Sequence, residues 1–398
     1  MKNYKNRQKK IVEFKDLVRL GQRLHKKGQK VVFTTGSFEL ITPGHCRFLA
    51  EAKSLGDTLV VGVCSDRSIT KIKGPDFPLL NQSARMEMLS YLRSVDYITT
   101  IDEGEPHTAI VLLEPDVFYA SQRELDSGNF DEQASYLLKK RRGKLIVRQD
   151  DRPYKSAYNL AEHIAHVRFI EVVASYLWSK SIDFGLNTIA DFKPADFGPQ
   201  EPNDSRAFNP SNMIYKNPLE LIGIRGISGP QSKKKLVFVS GSYDLLHVGH
   251  ARFIEKAALL GDTLVIGIPS DAKISSKKGY GRPIISEFSR AYVLASLDFV
   301  DYVYIFDEET VAPTLEVLKP EIFFTVDEEW NSGIKQSREY KVVKSYGGKV
   351  VLAPRQSPFL SSSTIINKIA YKKVKEIFGE CMQDEKFKEL LLENGKNS

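Results

Sequence analysis

Cysteine is nearly absent. The three present, Cys46, Cys64 and Cys381, have no metal-ligand spacing and cannot all pair. That excludes a disulfide framework and fits a reducing compartment. No apolar run reaches the roughly 18 residues that a membrane span needs. The basic stretch at residues 1–10 lacks the apolar centre of a signal peptide, so a cytoplasmic location is expected. A large excess of one charge is missing too. There are 57 basic and 50 acidic residues, a net of +7, and the surplus sits in clusters at 2–10, 139–142 and 233–235. These read as solvated ends and turns, so no nucleic-acid partner is expected. What remains is an ordinary globular composition, 42% hydrophobic and 27% charged, long enough for two or three domains.

The chemistry concentrates at residues 240–250, Ser-Gly-Ser-Tyr-Asp-Leu-Leu-His-Val-Gly-His. The apolar run Leu236-Val237-Phe238-Val239 before it has the length and β-branching of a buried strand. The ten residues after it have a helical period. His247 and His250 therefore stand where a strand hands over to a helix. Gly249 has no Cβ, so a bound group can approach the backbone there. The free amides of a helix start favour an anion by about 0.3–2 kcal/mol. Glycines, imidazoles and a helix N-terminus together predict a phosphate site.

The chain contains this pattern twice. Adding 205 to a position in the first half often returns the same residue: Gly36 and Gly241, Ser37 and Ser242, Gly44 and Gly249, His45 and His250, Arg47 and Arg252, Asp66 and Asp271, Lys73 and Lys278, Arg85 and Arg290. The offset holds as far as Lys144 and Lys349 without a gap, which marks a duplicated domain. Strands alternate with helices in each copy, predicting a mainly parallel sheet with helices on both faces. A helix over 11–29 is expected to lead in. We read a first domain at 11–180, a Pro- and Gly-punctuated linker at 181–232, a second domain at 233–370 and a charged helical tail at 371–398.

The repeated stretch resembles the (H/T)xGH signature of the nucleotidyltransferase superfamily, whose members include cytidylyltransferases and heptose-phosphate adenylyltransferases. The run Lys-Gly, Pro, Arg and Val-Asp-Tyr-Val is most similar to heptose 1-phosphate adenylyltransferase domains. Asp327-Glu328-Glu329-Trp330 looks more like the Gly-Asp-Asp-Trp of glycerol-phosphate cytidylyltransferases. The tandem arrangement resembles ethanolamine-phosphate cytidylyltransferase. The resemblance implies two tandem Rossmann-like α/β domains. It also implies transfer of a nucleoside monophosphate from ATP or CTP to a phosphorylated acceptor, with release of pyrophosphate. Mg²⁺ would ride on the triphosphate rather than in a protein cage.

On that basis His247, His250 and Lys278 are the expected catalytic residues. Lys278 lies in Ser-Ser-Lys-Lys-Gly-Tyr-Gly-Arg-Pro, which reads as a mobile Gly-rich loop; Lys277 is an immediate rival for its role, and the repeat, which keeps only Lys278 as Lys73, favours Lys278. Gly241, Ser242, Gly249, Arg290 and the hydroxyl run Ser361, Ser362, Ser363 and Thr364 are expected at the phosphates. For Arg290, pairing with a carboxylate is the alternative; for the hydroxyls, simple capping of the next helix is compatible with binding. Asp244, Asp271, Glu329, Trp330 and Arg355 are candidates for the acceptor or base, with turn-forming roles equally open for the two aspartates. The first copy offers Gly36, Ser37, Thr42, His45, Asp66, Lys73 and Arg85 as counterparts. It departs from the second in Thr42 for His247, Glu39 for Asp244, and Ser156-Ala157-Tyr158-Asn159 for the hydroxyl run. The second copy is therefore the expected catalyst, and the first a weakened, repurposed or regulatory one. The acceptor is expected to be a sugar phosphate of the heptose 1-phosphate type, with glycerol or ethanolamine phosphate as the alternative. A non-catalytic nucleotide-binding scaffold is the reading from another class. The two copies are expected to pair within the chain, or the chain with a second copy of itself.

Overall fold

Short β-branched runs bounded by turn residues become strands, as the pattern demands. In the first copy these are β1 (Val31–Gly36), β2 (Thr58–Cys64), β3 (Tyr97–Ile101), β4 (Val117–Ser121) and β5 (Lys144–Arg148). The computed structural model describes residues 4–75, 77–102, 106–122, 125, 132–148, 160, 163–165, 167, 194, 206–223, 234–279, 281–330, 333–356, 364–367 and 369–371. The sheet order is β3-β2-β1-β4-β5, and every described pairing is parallel. β6 (Ile214–Tyr215) follows, then β7 (Leu236–Ser240), β8 (Thr263–Pro269), β9 (Tyr302–Phe306), β10 (Ile322–Val326) and β11 (Lys349–Ala353). The second sheet runs β11-β10-β7-β8-β9-β6 and is also parallel. In each sheet the order reverses beside the first strand of the copy, between β1 and β4 and between β7 and β10. Open α/β sheets bind ligands at such a switch point, beyond the strands' carboxyl ends.

Three expectations change. The leading helix spans Leu17–Lys26, not 11–29. Residues ahead of it serve the sheet instead, with Ile11 bridging Ile98 on β3 and the Val12 amide donating to the Ile98 carbonyl at 2.8 Å. The stretch taken as a linker contains β6, which pairs with β9 through Ile214 and Val303. It covers the same edge in the second copy that Ile11 covers in the first. Lys278 is not in a loop. It ends the helix Asp271–Lys278, and Gly279 stops that helix at φ +82°, a conformation that costs glycine little.

The copies pack through their helices. A single apolar cluster joins Val61, Leu89 and Leu92 of the first to Val239, Leu294 and Leu297 of the second. Across it Leu92 and Leu297 form an antiparallel bridge. The Arg93 amide donates to the Ser296 carbonyl at 3.0 Å, and the Asp298 amide to the Tyr91 carbonyl at 2.9 Å. Arg93 and Asp298 are counterparts, as are Tyr91 and Ser296, so the two bonds are related by a local two-fold axis. Arg7 reaches over this seam. Its guanidinium bonds Asp298 at 2.8 and 3.0 Å and Glu255, and lies over the rings of Tyr91 and Phe299.

Candidate active site

The turn after β7 is shaped by an aromatic side chain. Tyr243 has φ +47°, and its counterpart Phe38 has φ +46°, a left-handed conformation that costs a bulky residue about 1–3 kcal/mol. The Tyr243 ring folds back beneath Gly241, where a Cβ would come within 2.9 Å of it. The glycine is therefore required by packing. The same ring meets His250 edge-on at 5.3 Å, as Phe38 meets His45 at 5.6 Å. Sequence reasoning missed this wedge, although an aromatic residue recurs at 38 and 243 and could have signalled it.

His247 caps the helix Val248–Ala258. Its Nδ1 accepts the Gly249 amide at 3.2 Å, so the proton of the neutral ring sits on Nε2. Burial lowers its pKa to about 4. The ring stacks on His250 at 3.8 Å. Burial also pushes His250 well below the ordinary histidine value; a proton on the stacked His247 would oppose one here, and the charges of Lys278 and Arg355 lower it further. Among the described residues His250 Nδ1 is buried with no partner of good hydrogen-bond geometry, although the Leu245 backbone lies close enough to favour the protonated ring. Two neutral imidazoles thus stand at a helix start, in reach of the charges of Lys278 and Arg355. These donors suit phosphate oxygens rather than a hard cation, which takes oxygen ligands.

The carboxylates behave differently. Asp244 is buried and accepts the amides of Ile284 and Ile285 at 2.7 and 3.0 Å, while Arg282 pairs with its other oxygen at 2.9 Å. It therefore anchors the segment after Lys278, the turn-ordering role left open by the sequence. Arg290 is 2% exposed. It donates to the carbonyls of Ile285, Ser242 and Pro269 and to Asp271, all at 2.8–3.0 Å. It takes the carboxylate-pairing alternative and holds the Ser242 turn and Asp271 together from below. Burial raises the Asp271 pKa, against the pull of Arg290.

At the other side of the switch point, Trp330 donates from Nε1 to Thr325 at the end of β10, at 3.1 Å. Glu329 ends the short turn Asp327–Glu329. Glu328, which sequence reasoning passed over, accepts the Arg355 amide at 3.1 and 3.3 Å. That contact ties the β10 and β11 ends together. Thr364 is exposed and begins a helical segment, while Ser361, Ser362 and Ser363 lie outside the described residues, as do residues 156–159 and the tail beyond 371. A separate cleft of about 720 Å³ opens beside β9, lined by Lys216, Ser270, Glu287 and Asp307 among others, and contains neither histidine.

In the first copy Arg85 repeats the clamp, bonding the carbonyls of Leu80 and Ser37 and the Asp66 carboxylate at 2.7–3.0 Å. The histidine and lysine differ. The Thr42 amide donates to His45 Nδ1 at 3.2 Å. His45 is held at a pKa of about 4, mainly by burial. Lys73 pairs with buried Glu39 at 2.7 Å and approaches the Ser37 hydroxyl at 3.4 Å. Glu39 also accepts the Leu79 amide at 2.7 Å. Where the second copy gives this carboxylate to Arg282, the first has Phe77 and gives it to the lysine.

Comparison with known proteins agrees with this geometry. The profile of the cytidylyltransferase-like family matches residues 33–188 and 238–368. The bifunctional protein HldE of Geobacter metallireducens is 42% identical over 151 residues, which are 37% of this chain and 30% of that protein. HldE of Campylobacter jejuni strain RM1221 is 36% identical over 202 residues, 51% of this chain and 38% of that protein. The matched part is thus about a third of these relatives' own length. A solved structure, the lipopolysaccharide core biosynthesis protein from Thermoplasma volcanium, is 24% identical over 31% of this chain and 98% of its own, with a TM-score of 0.27. With both halves matched over well over half of its length, the chain belongs to the cytidylyltransferase-like family and carries the family's domain twice.

Proposed function

We propose that the second copy transfers a nucleoside monophosphate from ATP or CTP to a phosphorylated sugar. An acceptor phosphate oxygen attacks the α-phosphorus, and the bond to the β-phosphate bridging oxygen breaks to release pyrophosphate. The observation that carries this reading is the His247–His250 stack at the switch point, with a proton on His247 Nε2. A helix N-terminus and the charges of Lys278 and Arg355 converge on the same place. Such chemistry asks the protein for position and positive charge rather than a covalent intermediate. His247 and His250 donate to phosphate oxygens as charge moves to the leaving group. Lys278 clamps the α-phosphate and the acceptor phosphate. Ser361 to Thr364 hold the distal phosphates, and Mg²⁺ arrives on the triphosphate and neutralises part of its charge.

The sugar-phosphate acceptor is supported by the likeness to HldE proteins. The resemblance of Asp327-Glu328-Glu329-Trp330 and the tandem arrangement support glycerol or ethanolamine phosphate as the second reading. Pyrophosphate release, measured for ATP and CTP against a panel of these acceptors, decides between them. Nucleotide binding without release for any acceptor would favour the scaffold reading instead.

A further inference from the structure

The two sites are braced crosswise. In the second copy Arg252, two residues beyond His250, bonds Glu87 through both carboxylate oxygens at 2.5 and 2.6 Å. Glu87 sits two residues beyond Arg85, the residue that clamps the Ser37 turn of the first site. By the local two-fold, Arg47 should meet the counterpart of Glu87, which is Tyr292. It does so, with its guanidinium 5.5 Å from the centre of the Tyr292 ring. Tyr292 sits two residues beyond Arg290, the residue that clamps Ser242 and Asp271.

The two braces are not equal. Arg252 and Glu87 are partly exposed, at 44% and 28% of their side chains, where an ion pair contributes little. Arg47 is fully buried and Tyr292 nearly so. Glu51 and Arg148 of the first copy, paired at 3.1 Å and joined by the Tyr119 hydroxyl, add their charges around the same tyrosine. The deeper brace is the one the first copy provides to the second.

We propose that Arg47 of the first copy is a positioning residue for the active site of the second. Seated against Tyr292, it fixes the helix Glu287–Ala295, so that Arg290 holds the Ser242 turn and Asp271 in register with His247 and His250. The first copy then has a function that needs no turnover of its own. This inference rests on the reading of the second copy as the catalyst.

The test uses the full chain with Arg47→Met, which keeps the side-chain length and apolar stem, and with Arg47→Lys. Arg252→Met is the mirror control. Amide hydrogen exchange is followed at 36–45 and 241–250, alongside pyrophosphate release with the best substrate pair. Arg47→Met should speed exchange at 241–250 at least tenfold and leave 36–45 unchanged. It should lower kcat at least tenfold, with Arg47→Lys recovering part of both. Arg252→Met should leave 241–250 and kcat within twofold. If Arg47→Met is folded and alters neither exchange at 241–250 nor kcat, or if both sites loosen equally, the brace does not exist. Should Arg47→Met fail to fold, Tyr292→Leu removes the same contact from the other side and must give the same pattern for the proposal to stand. A wild-type chain without turnover, in which Arg47→Met still loosens 241–250 alone, overturns the catalytic reading and leaves the brace intact.

Discussion

Leu92 forms a backbone bridge with Leu297, its own counterpart 205 residues further along the chain. A residue that pairs with its repeat lies on the local two-fold axis, as in the isologous interface of a symmetric dimer. Both side chains are buried, at 2% and 0% exposure, in the cluster that joins the copies.

Unfolding should therefore be one transition. Leu297→Ala removes buried methyl groups from the shared cluster and should cost about 2–5 kcal/mol. In calorimetry the melt should shift down as a single peak. A resolved second peak, with only the second copy destabilised, would mean that the copies are separate folding units.

Activity should depend on one set of histidines. His247→Ala or His250→Ala removes a donor from the developing charge and should lower kcat by about 10²–10³. His45→Ala should stay within a few-fold of the parent. Pyrophosphate release under saturating substrates reads this directly, and the reverse ranking would move catalysis to the first copy.

Acid should destabilise the chain through the same groups. The His247 and His45 pKa values fall from 6.5 to about 4 on folding, and that of His250 falls as well. Between those values the unfolded chain binds protons that the folded one does not. Stability is therefore fully present above pH 6.5 and declines as pH falls toward 4. The slope approaches about 1.4 kcal/mol per pH unit for each histidine. Urea melts from pH 7 to 4 should show the decline, and His247→Asn should make it shallower.

Much of this arrangement is readable from the residues. Runs such as Val31-Val32-Phe33 declare strands, and the constant offset of 205 declares the duplication. His247 between a strand and a helix declares the turn that sets it at the helix start beside His250. Other features depend on contacts that no local pattern encodes. The two residues of β6 are too few for a period, and their strand character comes from the edge of β9. Arg290 faces carbonyls from three separate segments, so its inward role appears only after folding. The Lys278 position turns on whether Gly279 ends a helix or sits in a loop. A glycine permits both.

Lys73 and Lys278 occupy the same place in the repeat, but the carboxylates at 39 and 244 are used differently. Glu39 is one methylene longer than Asp244, and its carboxylate reaches Lys73. Asp244 spends its oxygens on two backbone amides and Arg282. A lysine held by a carboxylate must give up that pair before it can clamp a phosphate. Glu39→Asp, combined with Phe77→Arg, should transfer the carboxylate from Lys73 to the new arginine, as in the second copy. Titration calorimetry with a non-hydrolysable triphosphate should then show the first copy binding at least tenfold more tightly, and Lys73→Ala in the same background should abolish the gain. Unchanged affinity in the double variant would mean that the Lys73–Glu39 pair does not limit binding in the first copy, and would turn attention to Thr42 and to Ser156-Ala157-Tyr158-Asn159 opposite Ser361 to Thr364.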